Sequence, residues 1–155
     1  MSNPYRAPGA VVADQDRPVG SPVKAVIYGV LVDILGTTAM SAVLMLIYGI
    51  YLASSGADQQ AIESAVAQFD PLSGIGLLMT VLGCGFSFLG GYVCARVAGS
   101  AELKWAGAVA AISAAFSIIL GLQAYSLGMN LLLAAPAIVF VLLGGYVGAR
   151  RNTRP

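Results

Sequence analysis

Residue types that commonly perform chemistry are scarce in this sequence. Histidine is absent, which removes the commonest general base and metal ligand. The two cysteines, Cys84 and Cys94, lie ten residues apart within one apolar run, and this spacing does not match a Cys-x-x-Cys redox or zinc motif. The sequence also contains no phosphate-binding loop, dinucleotide fingerprint or zinc-protease motif. We therefore expect a non-enzymatic protein without catalytic residues, a metal site or a cofactor.

The residue most capable of taking part in chemistry is Asp33, the only acidic residue within an apolar run. A carboxylate at the centre of a bilayer costs about 2.5–3.5 kcal/mol, so Asp33 should be surrounded by protein or lie near an interface. Small and polar residues recur at steps of four along one helix face: Gly29, Asp33, Thr37 and Ser41. We expect this stripe to face other helices, because contact of small and polar side chains with lipid tails is unfavourable.

Two basic residues at helix ends, Arg96 and Arg150, are the partners predicted for Asp33, because both should lie on the same side of the membrane as the start of its helix. With such a pairing, the substitution Asp33→Asn should lower stability or assembly. Three roles stay open for Asp33: a staple between helices, a proton or cation relay, and a charge at the membrane interface.

The elements that position these residues are apolar helices. Hydrophobic residues make up 58% of the 155-residue chain and charged residues 10%, whereas soluble domains carry about 25% charged residues. Four apolar runs cover residues 25–53, 72–95, 105–123 and 131–149, and a membrane-spanning helix needs about 20 such residues. The predicted fold is an all-α membrane protein. Its four-transmembrane-helix bundle covers residues 23–150, between a flexible tail at 1–22 and a short tail at 151–155.

The ends of these helices are predicted from capping residues. Asp70 and Pro71 fit the N-cap and first turn of the second long helix, and Asn130 fits the N-cap of the fourth. Between the first two runs, the apolar residues Ile62, Val66 and Phe69 recur at helical spacing. This pattern predicts either a short amphipathic helix on the membrane surface or simple loop packing.

The orientation of the bundle follows from its lysines and arginines. All eight basic residues fall before the first run, between the second and third runs, or after the fourth. By the positive-inside rule these segments are cytoplasmic, so both termini are predicted to be cytoplasmic. A net charge of +1 gives no bulk attraction to nucleic acid. The expected partners are the lipid bilayer and either further copies of the chain or another membrane protein.

A short sequence repeat marks two helix ends. Residues 89–96 read LGGYVCAR and residues 143–150 read LGGYVGAR, matching at seven of eight positions. The shared register predicts two similar hairpins related by an axis along the membrane normal. Glycine lets membrane helices approach closely where lipid provides no hydrophobic drive. The glycines predicted to pack helices together are Gly76, Gly83, Gly90, Gly91, Gly107, Gly144, Gly145 and Gly148.

The opening Asn3-Pro4-Tyr5-Arg6-Ala7-Pro8 and the GGYxxAR helix ends resemble segments of small uncharacterised bacterial inner-membrane proteins. That resemblance implies a bacterial inner membrane and brings no activity or site residue with it. The residues themselves favour a non-enzymatic subunit that packs against or binds a partner, because glycines abound and polar chemistry is sparse. The alternative is a small transporter or channel subunit for protons, cations or solutes, in which Asp33, Thr37 and Ser41 line the path.

Overall fold

The computed structural model describes residues 20–152, and all regular structure within that range is helical. In chain order the helices are α1 (Pro22–Ser54), α2 (Gln59–Ala67), α3 (Gly74–Ala98), α4 (Glu102–Gly121) and α5 (Leu127–Asn152). The tails predicted at the two termini lie mostly outside the described residues.

Four of these helices, α1, α3, α4 and α5, are long and apolar enough to cross a membrane. The 33 residues of α1 give it a length of about 50 Å at 1.5 Å per residue. The 20 residues of α4 give about 30 Å, which matches the hydrocarbon thickness of a bilayer. The prediction of four long apolar helices is confirmed, and their length and composition suggest an all-helical membrane protein.

The short helix α2 occupies the segment between the first two long helices. Asp58 caps it, because its carboxylate accepts a hydrogen bond from the backbone N–H of Ala61 at 2.8 Å. Ile62 and Val66 lie within α2, whereas Phe69 lies beyond its end and its ring packs edge-on against Tyr48 of α1. Of the two alternatives for this segment, the structure contains the helix.

The predicted cap of the second long helix is displaced along the chain. Ser73, rather than Asp70, is the N-cap of α3, and its hydroxyl accepts a hydrogen bond from the N–H of Gly76 at 3.2 Å. The carboxylate of Asp70 accepts from the N–H of Leu72 at 2.9 Å, so it stabilises the turn before the helix. A short polar side chain can satisfy either a turn or a helix end, and the sequence does not distinguish the two.

The four long helices are not arranged evenly. α3 packs against α1, α4 and α5, and α4 packs against α1, α3 and α5, whereas α1 makes no contact with α5. Consecutive long helices therefore lie side by side as α1 with α3 and α4 with α5, and the α3–α5 and α1–α4 contacts join them. A gap between α1 and α5 follows from this arrangement.

The two ends of the bundle differ in charge. All basic side chains of residues 20–152 lie at the end that we call the basic end: Lys24, Arg96, Lys104, Arg150 and Arg151. The opposite end, next to α2, we call the α2 end. The buried hydrophobic core is made of Ala25, Cys94, Ala98, Val109, Ala110 and Val141. Most of these residues belong to the half of the bundle nearest the basic end, so that half is the tightly packed one.

Glycines allow α3 and α5 to touch through their backbones. A Cβ atom at Gly91 would collide with the carbonyl oxygen of Val141, and one at Gly144 would collide with that of Phe88. A Cβ atom at Gly148 would lie 2.8 Å from the Cβ of Ala95. Small residues at such contacts are the usual means of packing helices in lipid.

The repeated Gly-Gly pairs do not make equivalent contacts. Gly90, the first of its pair, faces α1, and Gly91 faces α5. Gly144, the first of its pair, faces α3, and Gly145 faces Ala106 on α4. A two-fold axis relating the hairpins would also make the α3–α4 contact equivalent to an α1–α5 contact, and the latter is not made. The packing of residues 20–152 therefore lacks the two-fold relation that the repeat suggests.

Candidate functional site

Asp33 lies on the face of α1 that packs against α3. Its side chain is 5% exposed, and one carboxylate oxygen accepts a hydrogen bond from the hydroxyl of Ser87 on α3 at 2.8 Å. Ser87 is itself 4% exposed. Among the described residues no lysine or arginine forms an ion pair with Asp33. The structure thus holds a buried carboxylate with one neutral hydrogen-bond donor.

The helix surface beneath Asp33, toward the basic end, is closed. A Cβ atom at Gly90 would lie 2.9 Å from the Cβ of Asp33 and 2.7 Å from the carbonyl oxygen of Gly29. A Cβ atom at Gly29 would in turn lie 2.9 Å from both Cys94 and Val109. Because Cys94 and Val109 are fully buried, these contacts form a floor that separates Asp33 from the basic end.

Two further residues that line the same cavity as Asp33 have hydroxyls without hydrogen-bond partners. Thr37 is one helical turn further along α1, and neither its Oγ1 nor the Oγ of Ser113 on α4 has a partner among the described residues. α1 and α4 run in the same direction from the basic end, and Val109 touches Gly29. One turn on from that contact, Ser113 reaches the level of Asp33. Ser113 is only 9% exposed, and a buried hydroxyl without a hydrogen-bond partner carries a desolvation cost.

These groups lie at the closed end of a cavity of about 480 Å³. The cavity extends from the level of Asp33 to Phe69, Pro71 and Tyr125 at the α2 end. Its polar lining consists of Asp33, Thr37, Thr38, Ser41, Thr80, Cys84, Ser87, Ser113, Ser117, Tyr125 and Asn130. Asp33 is the only charged residue among the described residues that line it. The arrangement is a deep, mostly neutral chamber with one carboxylate at its base.

The cavity forms because α1 and α4 have buried residues only in the part of each helix nearest the basic end. The buried residues of α1 are Ala25, Gly29 and Asp33, and those of α4 are Ala106, Val109, Ala110 and Ser113. Beyond these points both helices contribute only partly or fully exposed residues. Thr38 of α1 and Ser117 of α4 line the cavity and are exposed. We conclude that the cavity opens between these two helices toward the α2 end.

Side chains from α5 and its preceding loop complete the lining near the α2 end. Asn130, predicted as an N-cap, lies inside α5, where its amide donates hydrogen bonds to the carbonyl oxygens of Tyr125 and Ser126, both at 3.1 Å. The Asn130 side-chain oxygen lies where a Cβ atom at Gly121 of α4 would be. The Tyr125 hydroxyl donates to the carbonyl of Phe69 at 3.2 Å, which ties the loop before α3 to the loop before α5.

The two arginines predicted as partners of Asp33 lie elsewhere. The guanidinium of Arg96 donates to the side-chain oxygen of Asn152 at 3.0 Å, and the Asn152 amide donates to the carbonyl of Ala95 at 3.0 Å. The guanidinium of Arg150 lies over the ring of Tyr146, 4.7 Å from its centroid. Neither arginine lines the cavity. The structure brings Asp33, Thr37 and Ser41 together and leaves Arg96 and Arg150 at the basic end.

Not every predicted glycine lies between helices. A Cβ atom at Gly76 would collide with the carbonyl of Pro71 in its own preceding loop, and one at Gly107 would meet no other atom within 4 Å. Gly83 lines the cavity, and its Cβ would lie at an ordinary 3.5 Å from the methyl group of Thr37. These three glycines therefore do not hold two long helices in close contact, whereas Gly90, Gly91, Gly144, Gly145 and Gly148 do.

Sequence reasoning missed eight polar residues of this cavity: Thr38, Thr80, Cys84, Ser87, Ser113, Ser117, Tyr125 and Asn130. Isolated serines are common in membrane helices, since the hydroxyl can bond within its own helix. A signal for Ser113 did exist, because it continues the small-residue spacing of Ala106 and Ala110 along one face of α4. Ser87 lies one turn before Gly90 on α3, and only the pairing of α1 with α3 identifies it as the partner of Asp33.

The fold and the cavity together describe four helices that are long and apolar enough to cross a membrane, with a largely apolar chamber between them that ends at one carboxylate. Comparison with known protein families, with curated proteins and with solved structures finds no match to this chain. Any functional assignment therefore has to come from the chemistry of the cavity.

Proposed function

We propose that the protein is a small transporter or channel subunit that takes a cationic solute into the cavity between α1, α3, α4 and α5. The observation that supports this most is the buried Asp33 at the closed end of a chamber of about 480 Å³. The proposal favours the transport alternative over a subunit that only packs helices, because tight packing would not leave a chamber lined by hydroxyls.

A cation is the solute that this chamber suits by charge. An ionised carboxylate away from water costs free energy unless an opposite charge or several hydrogen bonds compensate it. Ser87 supplies one hydrogen bond to Asp33, and no lysine or arginine is among the described residues that line the chamber. A bound cation would provide the missing compensation, whereas an anion would add a second negative charge.

We also propose that the protein lies in a bacterial inner membrane with both termini in the cytoplasm. The clustering of Lys24, Arg96, Lys104, Arg150 and Arg151 at the basic end supports this through the positive-inside rule. In this orientation the floor at Gly29 and Val109 faces the cytoplasm, and the chamber opens toward the outer side.

The matching segments 89–96 and 143–150 support a common descent of two hairpins, although their packing has since diverged.

A specific observation also favours the partner-binding alternative. The chamber opens between α1 and α4, where Thr38 and Ser117 are exposed, and a helix of another membrane protein could fill such an opening. The two functions differ in one accessible property, because a partner helix would exclude water and solutes from the chamber in the native membrane.

The two cysteines provide a test within the unmodified protein. Cys84 lines the chamber, whereas Cys94 is fully buried beneath the floor. We expect a membrane-impermeant cationic methanethiosulfonate to modify Cys84 in right-side-out native membrane vesicles, in which the proposed opening faces the reagent. Cys94 should stay unmodified, as read by mass spectrometry of each peptide. The Cys84→Ala variant provides the blank.

Three outcomes decide between the alternatives. Modification of Cys84 in native vesicles supports a solute chamber. A Cys84 that stays as unreactive as Cys94 even after purification in mild detergent overturns the proposal, because the chamber would then be dry. A Cys84 that is protected in the native membrane and becomes reactive on purification overturns it in favour of a bound partner.

A further inference from the structure

The geometry around Asp33 points to a more specific ligand, and this inference rests on the proposed function. We propose that the chamber binds a small amphipathic primary amine, with its ammonium group between Asp33, Thr37 and Ser113 and its apolar part toward the α2 end.

Three hydrogen-bond acceptors at the base of the chamber await donors. The carboxylate of Asp33 receives one hydrogen bond, from Ser87, and an ionised carboxylate can accept several. The hydroxyl oxygens of Thr37 and Ser113 are buried and have no partner among the described residues, so each would have to turn toward the chamber to meet a ligand. A primary ammonium group carries three N–H donors and no acceptor. Its three donors match in number one carboxylate and two hydroxyls, and its charge is opposite to that of an ionised Asp33.

A bare metal ion matches this site less well. Calcium takes six to eight oxygen ligands, and magnesium requires near-ideal octahedral geometry. The base of the chamber offers the side-chain oxygens of Asp33, Thr37, Ser87 and Ser113. Most carbonyl groups of the surrounding helices accept hydrogen bonds within their own helix. No group of three or more His, Cys, Asp or Glu residues that could hold a metal lies within residues 20–152.

The rest of the chamber is suited to an apolar body. Its volume of about 480 Å³ lies within the range of small-molecule sites, about 300–1,000 Å³, and far exceeds that of an ammonium group. Above Asp33 the walls are formed largely by flexible or aromatic apolar side chains: Met45, Met79, Phe116, Leu120 and Ile138. Methionine and aromatic side chains adapt to varied apolar shapes. The opening between α1 and α4 also allows entry of a molecule that partitions into the membrane.

The test measures how well three matched probes protect Cys84 from the methanethiosulfonate reagent in the purified full-length protein. The probes are 2-phenylethylammonium, its N-trimethylated counterpart, and 2-phenylethanol. All three have the same apolar part. The first has charge and N–H donors, the second has charge alone, and the third has neither. We expect half-protection by the primary ammonium at a concentration at least tenfold below that of the alcohol, with the trimethylated probe between them.

Variants separate the contribution of the probe's positive charge from that of its N–H donors. Asp33→Asn should remove the preference for both cations over the alcohol, whereas Glu63→Gln, which alters an exposed carboxylate on α2, should leave all three values unchanged. Thr37→Val and Ser113→Ala should reduce the preference of the primary over the trimethylated ammonium while charge still favours both. Retained reactivity of Cys84 toward the reagent in every variant shows that the chamber still forms.

The outcomes distinguish this inference from the function on which it rests. A reactive Cys84 that the alcohol protects as well as the primary ammonium overturns the amine assignment and leaves a solute chamber in place. Equal protection by the two cations overturns the role of the N–H donors. A Cys84 that never reacts overturns the chamber itself, and with it both proposals.

Discussion

At the scale of single residues, the decisive relation is the hydrogen bond between Ser87 and Asp33. A carboxylate held by an arginine would depend on its charge for stability, and its neutralisation would destabilise the protein. Asp33 has a hydroxyl donor instead, and an asparagine oxygen can accept the same hydrogen bond. The charge of Asp33 therefore costs stability rather than providing it, which reverses the expectation drawn from the sequence. Binding sites commonly retain such costly groups because the ligand compensates them.

Stability measurements on three variants test this relation. We expect Asp33→Asn to keep or raise the melting temperature in detergent, because it removes a buried charge and preserves the acceptor for Ser87. We expect Ser87→Ala to lower the free energy of unfolding by about 1–3 kcal/mol, because it leaves the carboxylate without its donor. Ser113→Ala is the matched control, since it removes a hydroxyl that has no partner and should leave stability unchanged or slightly higher. A large loss of stability in Asp33→Asn would indicate a basic partner for this residue.

The sequence predicted part of this site and could not predict the rest. Asp33, Thr37 and Ser41 were recognisable because polar residues at steps of four share one face of a helix. Ser87 and Ser113 were not, because their role depends on which helices are neighbours and at what height they meet. Arg96 and Arg150 were predicted as partners of Asp33 only because they lie on the same side of the membrane as the start of its helix. The floor at Gly29 and Val109 separates their end of the bundle from Asp33.

At the scale of helices, close approach of backbones decides where the bundle is tight and where it opens. Gly91 and Gly144 bring α3 and α5 together, and Gly29 and Gly90 do the same for α1 and α3. No close backbone contact joins α1 to α4 beyond Asp33, and neither helix has a buried residue after Asp33 or Ser113, respectively. The chamber therefore follows from the distribution of small residues along the helices, with tight packing below and separation above.

Two glycines on α3 provide a matched pair for testing this argument. A Cβ atom at Gly91 would collide with the backbone of α5, whereas one at Gly85 would meet nothing within 4 Å. We expect Gly91→Ala to lower the free energy of unfolding by about 1–3 kcal/mol, as overpacking does. Gly85→Ala should be neutral or stabilise by up to about 1 kcal/mol, because alanine favours the helix. Both values can be measured by reversible unfolding in detergent micelles. Equal effects of the two substitutions would contradict the assigned α3–α5 contact.

At the scale of the whole molecule, composition predicted more than the repeat did. Four long apolar runs separated by charged segments leave few alternatives to four membrane helices, because lipid offers the backbone no hydrogen-bond partners. The repeated LGGY segments instead suggested a two-fold arrangement, yet Gly90 and Gly144 face different neighbours. The repeat gives the two segments the same small residues. Which neighbour each glycine contacts depends on how its helix is rotated about its own axis, and the repeated sequence does not determine that rotation.

The orientation of this chamber across the membrane is the property of the whole molecule with the clearest consequence. Ser100 lies in the exposed turn at the basic end, and Gln60 lies on the exposed helix α2 at the other end. In a Cys84→Ala, Cys94→Ala background, we expect an impermeant maleimide added to intact spheroplasts to label Gln60→Cys and not Ser100→Cys, with both labelled after permeabilisation. This follows because moving lysine and arginine clusters across the inner membrane is unfavourable. The reverse pattern would make the chamber open toward the cytoplasm, and labelling of both sites from one side would contradict the arrangement of four crossings.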